Sequence, residues 1–252
     1  MKKKVVFVLL CLVSAILSMF INPNYANAFS AAVDASYPPF AIYNEKGELE
    51  GFEVDVINAI SKKIGEKADI INLEYPGALV GITSGKIDLI VTVDESDVKR
   101  DKVTLSQPIM ECGLTAIINK NNTTLKNEDD VKNGKNVKIG VVQGTLAAEE
   151  GAKRYGEDKL AFFDSAEVMY ESLIQNKIDV VVNDSVVNAY YMKKSTRSNQ
   201  LKNLSEEFSS SSGVSAITKK NPKLAKKILQ AIVDLEKDGT LAKIRKKWNF
   251  HL

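Results

Sequence analysis

The chain has 252 residues, with 34 basic and 32 acidic side chains, 44% hydrophobic residues and one histidine, His251. That length supports one or two domains around a large core, and a lone histidine excludes both a His-based catalytic triad and a multi-His metal site. Interspersed charges of both signs leave no footprint for nucleic acid or for a membrane surface.

In chain order, Lys2, Lys3 and Lys4 precede an apolar run over 5–17, and the stretch closes on Ala26-Asn27-Ala28. A basic start, an apolar middle and an Ala-x-Ala exit predict a secretory signal peptide over 1–28, cleaved to leave Phe29 first. The apolar run is shorter than the roughly 20 residues a membrane span needs. Cys11 admits a lipoprotein reading, but Leu10 stands where a small residue should precede a lipidated Cys. The leader carries three of the basic side chains, so the exported chain keeps 31 against 32 acidic ones and is near neutral. It keeps only Cys112, which rules out an internal disulfide at an oxidising destination.

Beyond the leader, short β-branched runs alternate with helical patterns, which predicts α/β architecture with mostly parallel sheets. Strands are predicted over 29–34, 68–73, 88–92, 114–119, 137–142, 159–163, 179–183 and 213–218. Val54, Ile57, Ile60 and Ile64 recur on one helical face before Gly65, and Leu224, Ile228, Ile232 and Leu235 repeat the pattern near the end. The segment 120–136 is polar and predicts a surface excursion, and 209–213 predicts a flexible polar stretch.

The chain also echoes itself. Ser84-Gly85-Lys86-Ile87-Asp88 leads into Leu89-Ile90-Val91 and then acidic residues, while Asn176-Lys177-Ile178-Asp179 leads into Val180-Val181-Val182 and then Asn183-Asp184. Each copy reads as a helix end, a tight turn, a buried strand and polar residues at the strand's carboxyl end, where open α/β sheets bind ligands. Two such units suggest two lobes sharing a cleft, although any α/β protein repeats helix, turn and strand.

An ordered set of motifs spans the mature chain: Asp34-Ala35-Ser36-Tyr37-Pro38-Pro39-Phe40, Gly51-Phe52-Glu53-Val54-Asp55, Ser84 to Asp88, Gln143-Gly144-Thr145, Asn183-Asp184, and Asp238-Gly239-Thr240-Leu241 with Trp248. On these residues the chain resembles the family 3 extracellular solute-binding proteins, the polar amino acid receptors of ABC importers. The resemblance implies a two-lobed periplasmic-binding-protein type 2 fold: two mostly parallel sheets flanked by helices and joined by two hinge strands. Lobe one would comprise 29–112 and 218–252, lobe two 116–209, with hinges near 111–116 and 210–217. It further implies a monomer that captures a small polar solute outside the cytoplasmic membrane and hands it to ABC permease subunits, without catalysis, cofactor or metal.

Carried over residue by residue, the resemblance implies a ligand-binding set. Tyr37 and Tyr75 would lie against the solute from opposite sides, and Asp34 would meet its far polar end, although an Asp at a strand end also serves as a turn or cap residue. Arg100 would hold a carboxylate through its planar fork. Counting back from Ser106-Gln107-Pro108 leads instead to Lys99, and guanidinium chemistry favours Arg100. Thr145 and Leu146, at a helix N-terminus, would offer backbone N–H groups to the same carboxylate. Asp184 would pair with an ammonium, or else cap a helix. Thr92 and Val142 complete the set.

One stretch departs from the family. Val93-Asp94-Glu95-Ser96-Asp97 places carboxylates where small or hydroxyl residues are usual. Glu95 must point away, pair with Arg100 or bind a cation, and the extra acidity tilts the expected solute towards cationic amino acids or amines. Asp94 and Glu95 would also be the acid/base pair of an alternative, a dehydratase-type enzyme on the same fold. A ligand-sensing domain acting through a separate signalling partner is the third possibility.

Overall fold

In a computed structural model, the structure describes residues 28–193 and 198–250. The expected leader before Ala28, with Cys11, and the lone His251 lie outside the described residues.

The first half of the chain forms β1 (Ala28–Val33), a small hairpin of β2 (Ile42–Tyr43) and β3 (Leu49–Glu50), α1 (Phe52–Ile64), β4 (Lys67–Asn72), α2 (Tyr75–Ser84) and β5 (Leu89–Val93). A 17-residue strand, β6 (Val103–Asn119), leads away from it. The second half holds α3 (Glu128–Asn133), β7 (Ile139–Val142), α4 (Leu146–Tyr155), β8 (Leu160–Phe163), α5 (Ala166–Ile174), β9 (Val180–Asp184), α6 (Ser185–Lys193) and β10 (Leu201–Asn203). Strand β11 (Phe208–Thr218) returns, and α7 (Pro222–Lys237) and α8 (Thr240–Trp248) close the chain against its beginning.

Strand order is β4-β1-β5-β11-β6-β9-β7-β8, with β10 on β6. β1 pairs in parallel with β4 and β5, and β7 in parallel with β8 and β9. Each half is thus the parallel α/β sheet expected. The two are hydrogen-bonded into one ladder because β6 and β11 run antiparallel from one half into the other. Register shifts interrupt that pair between Phe208 and Ser210 and again from Gly213 to Ala216. The bulges fall where the chain passes between halves, and bulges bend a strand and increase its twist.

The stretch expected to be flexible, 209–213, is therefore paired strand: Ser210 lies opposite Gly113 and Ser212 opposite Glu111. Its polar residues hide the strand from a hydrophobicity reading, and the partner strand supplies the backbone hydrogen bonds. The excursion 120–136 contains α3, closed by a capping box in which Asn127 and Asp130 satisfy each other's backbone N–H groups.

The internal echo has a common structural cause. Gly85 and Asn176 both adopt left-handed backbone, φ 66° and 57°, at a helix end. Three residues on, each turn ends in an aspartate that grips the neighbouring strand. Asp88 Oδ2 accepts from Ser30 N at 2.9 Å, and Asp179 Oδ2 accepts from Lys138 N at 2.9 Å. The same latch thus fixes β5 against β1 and β9 against β7, setting both carboxyl ends at the cleft.

The core of the first half is built on the predicted stripes. Ile57 and Ile60 of α1 and Ile228 and Ile232 of α7 are fully buried, Val54, Leu224 and Leu235 nearly so, and Ile64 is partly buried. Arg245 of α8 is buried, donates to the Ile109 carbonyl at 3.0 Å and pairs with both oxygens of Glu236. That pins the last helix to the long strand. Asp238-Gly239-Thr240 is a structural motif as well: Asp238 Oδ1 accepts from Thr240 N and Oγ1, and Gly239 turns at φ 77°.

One glycine carries a strong constraint. Gly51 has φ 145°, and a Cβ there would collide with the Phe40 carbonyl oxygen and sit 2.7 Å from Ala41 Cα. Gly51→Ala should destabilise the fold by at least the 1–3 kcal/mol, roughly, of a strained backbone position. Denaturant unfolding checks it, and an unchanged midpoint would contradict the geometry.

Candidate functional site

The cleft between the halves encloses about 90 Å³. Four of the parallel strands deliver their carboxyl ends there: Asp34 after β1, Thr92 and Val93 at the end of β5, Val142 at the end of β7, and Asp184 ending β9. This is the place where open α/β sheets bind ligands, for a geometric reason: strand ends and helix N-termini converge there. Met110 and Cys112 of β6 and Gly213 of β11 form the floor.

Eight of the ten residues in the expected set line this cavity: Asp34, Tyr37, Tyr75, Thr92, Val142, Thr145, Leu146 and Asp184. Glu95 and Arg100 do not. They form an ion pair with each other, with side chains 46% and 69% exposed. Glu95 thereby follows one course open to it, pairing with Arg100, and the pairing takes the guanidinium away from the cavity. The expected carboxylate clamp is not assembled in this arrangement.

Tyr37 bridges the two halves. Its Oη lies 2.6 Å from Asn183 Oδ1 and 2.8 Å from Asp184 Oδ2. A hydroxyl carries one proton, so Tyr37 donates to one of these oxygens at a time, and a protonated Asp184 donates to it in turn. The chain continues inward through buried groups. Asn183 Nδ2 donates to Tyr170 Oη, Tyr170 Oη donates to Asn188 Oδ1, and Asn188 Nδ2 donates to Thr115. A second bridge runs from Tyr191 Oη to the Ser36 carbonyl at 3.0 Å.

Asp34 turns out to hold the site's own backbone: Oδ1 accepts from Ser36 N and Oγ, and Oδ2 from Tyr75 N at 3.1 Å. It fixes where α2 begins and where Tyr75 stands. Tyr75 Oη then donates to Asp97 Oδ2 at 2.6 Å. Thr145 caps α4, accepting from Ala148 N while its hydroxyl donates to the Val142 carbonyl.

Thr92 gives both its amide N–H and its hydroxyl to Glu53 Oε1. Glu53 was not in the expected set, yet it is 5% exposed and lines the cavity. The signal was present in the sequence: Glu53 stands four residues before Ile57 and seven before Ile60, on the inward face of α1. Asp94 and Asp97 also line the cavity. The short 3₁₀ turn at Glu95–Asp97 produces this alternation, sending Asp97 in and Glu95 out.

The electrostatics are one-sided. Asp34, Glu53, Asp94, Asp97 and Asp184 line the cavity, and none of its lining residues among those described is basic. Burial pushes the Glu53 carboxyl up to about 7 despite the Thr92 hydrogen bonds. Burial likewise raises Asp97 to about 7, and the Asp94 and Asp184 charges add to the shift. Asp184 is raised to about 6, again chiefly by burial, then by Asp94 and against the Tyr37 hydrogen bond. The Tyr37 and Tyr75 phenols are pushed well above their ordinary values by burial and by Asp184 and Asp97 respectively. Both act as donors. Burial also raises the Cys112 thiol, which favours its neutral form.

A family model described as bacterial extracellular solute-binding proteins, family 3, matches residues 29–251. The chain belongs to this family. Among curated family 3 relatives, the L-cystine-binding protein TcyJ of Escherichia coli (strain K12) is 31% identical, over 86% of this chain and 80% of that one. The probable amino-acid-binding protein YxeM of Bacillus subtilis (strain 168) is 30% identical, over 98% and 95%. In three dimensions, an ancestral arginine-binding protein bound to arginine superposes with a TM-score of 0.76 at 31% identity, covering 88% of this chain and 97% of that one. The family and the two-lobed fold expected from the motifs are thereby confirmed.

Proposed function

We infer that this family 3 member is the solute-capturing receptor of an ABC importer and that its solute is positively charged, as basic amino acids are. The observation that carries this is the cavity lining: five carboxylates and, among the described residues, no basic side chain. Carboxylates drawn together in a cavity without a counter-charge are costly, and an incoming cation supplies that counter-charge. The relatives, named as binding cystine, arginine and amino acids generally, fit a small nitrogenous solute.

The lobes would comprise 29–112 with 218–252 and 116–209, closing about the bulged stretches of β6 and β11 in a hinge motion. The receptor would act as an exported monomer delivering to permease subunits in the membrane. Binding without chemistry is favoured over a dehydratase, because the acid/base pair that reading needs is dispersed. Asp94 holds Ser96, while Glu95 lies outside the cavity against Arg100.

A solute that binds only the native state adds about 2.7 kcal/mol at a hundredfold excess over its dissociation constant. Arginine, lysine, histidine and cystine should therefore be screened by thermal shift beside glutamate and aspartate. At least one cation should raise the melting temperature, and the two acidic amino acids should not. Stabilisation by glutamate alone would sink the cationic reading.

A further inference from the structure

We propose that Glu53 determines specificity: one free oxygen of its carboxylate holds the far end of the solute's side chain and favours a primary ammonium, as in lysine or ornithine, over a guanidinium. This rests on the cationic reading above and deepens it, the α-amino group being left to Asp184.

Three observations support it. First, Glu53 has an acceptor that opens on the cavity. Its Oε1 accepts from both the amide and the hydroxyl of Thr92, while its Oε2 accepts from no described residue. No fully buried side-chain polar atom among the described residues lacks a hydrogen-bond partner, so Oε2 keeps a face open to water. Glu53 is only 5% exposed and lines the cavity. That face is therefore turned to the cavity.

Second, the carboxylate expected at the solute's far end is committed to the site's backbone. Asp34 Oδ1 accepts from Ser36, and Oδ2 accepts from Tyr75 N. Glu53 stands instead in the first turn of α1, where the helix dipole favours its charge, and Thr92 fixes where its carboxylate points. Withdrawal from water holds that carboxyl near 7, and a cation against Oε2 would favour the charged form.

Third, the arrangement offers a single acceptor. The two Thr92 bonds occupy both lone pairs of Oε1, so a guanidinium cannot make its paired, two-oxygen contact with this carboxylate. An ammonium is a compact point charge and needs only one oxygen for each N–H. Phe40, Ile90 and Met110 line the same cavity with apolar surface, which suits the methylenes that carry the ammonium.

Titration calorimetry on the mature protein at pH 8, where Glu53 is ionised, tests this with lysine, ornithine, arginine and norleucine. Norleucine has the carbon chain of lysine without the far ammonium. Lysine or ornithine should bind tighter than arginine, and at least about tenfold tighter than norleucine. Glu53→Gln should weaken the better of the two by at least about tenfold and leave norleucine within about threefold of the parent. Glu53→Asp keeps the charge but draws it back by one methylene, so the affinity ratio of lysine to ornithine should rise. An equal loss for lysine and norleucine in Glu53→Gln would make Glu53 a structural residue and overturn the proposal. Unchanged lysine binding in that variant, an unchanged ratio in Glu53→Asp, or tighter binding of arginine than of lysine and ornithine would overturn it too, with the cationic receptor left standing. Failure of every basic amino acid to bind would remove the cationic reading itself.

Discussion

Asp184→Asn should weaken binding of the cationic solute at least thirtyfold while leaving the unliganded protein as stable as before, or slightly more so. The two halves of that expectation have one cause. Asp184 is half-buried at the end of β9, where Tyr37 donates to it, and its withdrawal from water has raised its carboxyl to about 6. In the empty site an ionised Asp184 is a cost, which a neutral amide of the same shape relieves; Asn Oδ1 can still accept from Tyr37. In the bound state the carboxylate is the partner of a desolvated cation. Removing one member of such a pair costs about 2–5 kcal/mol, much of it for the charge left without its partner. At about 1.4 kcal/mol per factor of ten, the lower bound of that range is already some thirtyfold. Calorimetry on the variant and the parent, with denaturant unfolding of both, reads the two halves separately. Loss of binding together with loss of stability would make Asp184 a structural residue. Unchanged binding would place the cation elsewhere.

The second large effect is a pair of opposed responses to pH. Glu53 and Asp97 titrate near 7 and Asp184 near 6 in the folded protein, all raised from ordinary carboxylate values by burial first. Unfolding returns them to those values, so between about pH 4 and pH 7 the native state holds protons that the unfolded chain has lost. Stability falls with rising pH wherever the native state holds more protons, and the unliganded protein should melt at a lower temperature at pH 8 than at pH 5.

A bound cation works the other way. It favours the ionised carboxylates, so affinity should rise as pH climbs through 6 to 7, and the thermal shift on adding ligand should be larger at pH 8. Two partly buried ion pairs do not blur this window. Glu128 and Glu236 are held below the usual carboxylate range by Arg154 and Arg245, so their stabilisation is lost only in more acid solution. Calorimetric scans at the two pH values, with and without ligand, decide the matter. A ligand shift that is greater at pH 5 would refute the assignment of these carboxylates to the cation. Glu53→Gln should flatten both slopes, because it removes one of the three titrating groups.

Much of the site was legible from motif position. The strand ends and helix starts are local events: a β-branched run such as Val180-Val181-Val182 ends, and Asp184 stands at its end whatever lies beyond. Eight of the expected ligand residues therefore line the cavity. The residues whose placement differs from the expectation differ for equally local reasons. Glu95 and Arg100 sit on a stretch that departs from the family, where the counting was ambiguous and one turn of 3₁₀ backbone exchanges inside for outside. Glu53 was passed over because it was read as part of a sequence motif rather than as a member of the buried helical face. Helical spacing to Ile57 and Ile60 already placed it there.

The sequence by itself determined the α/β class, both amphipathic stripes, the repeated turn that latches β5 and β9, and the acidity of the stretch after β5. Each depends on residues close together in the chain, where period and turn chemistry act directly. Only the tertiary structure decided that β6 and β11 form one continuous antiparallel passage between the halves. The serine-rich stretch of β11 carries no hydrophobic pattern, and each strand finds its hydrogen bonds on a partner about a hundred residues away. It also decided the charge balance of the cavity. Carboxylates from β1, α1, the turn after β5 and β9 meet only when the sheets are assembled, and whether a distant arginine joins them depends on which partner it finds first. Here that partner is Glu95, five residues away on the surface, because an exposed pair forms without desolvating either charge.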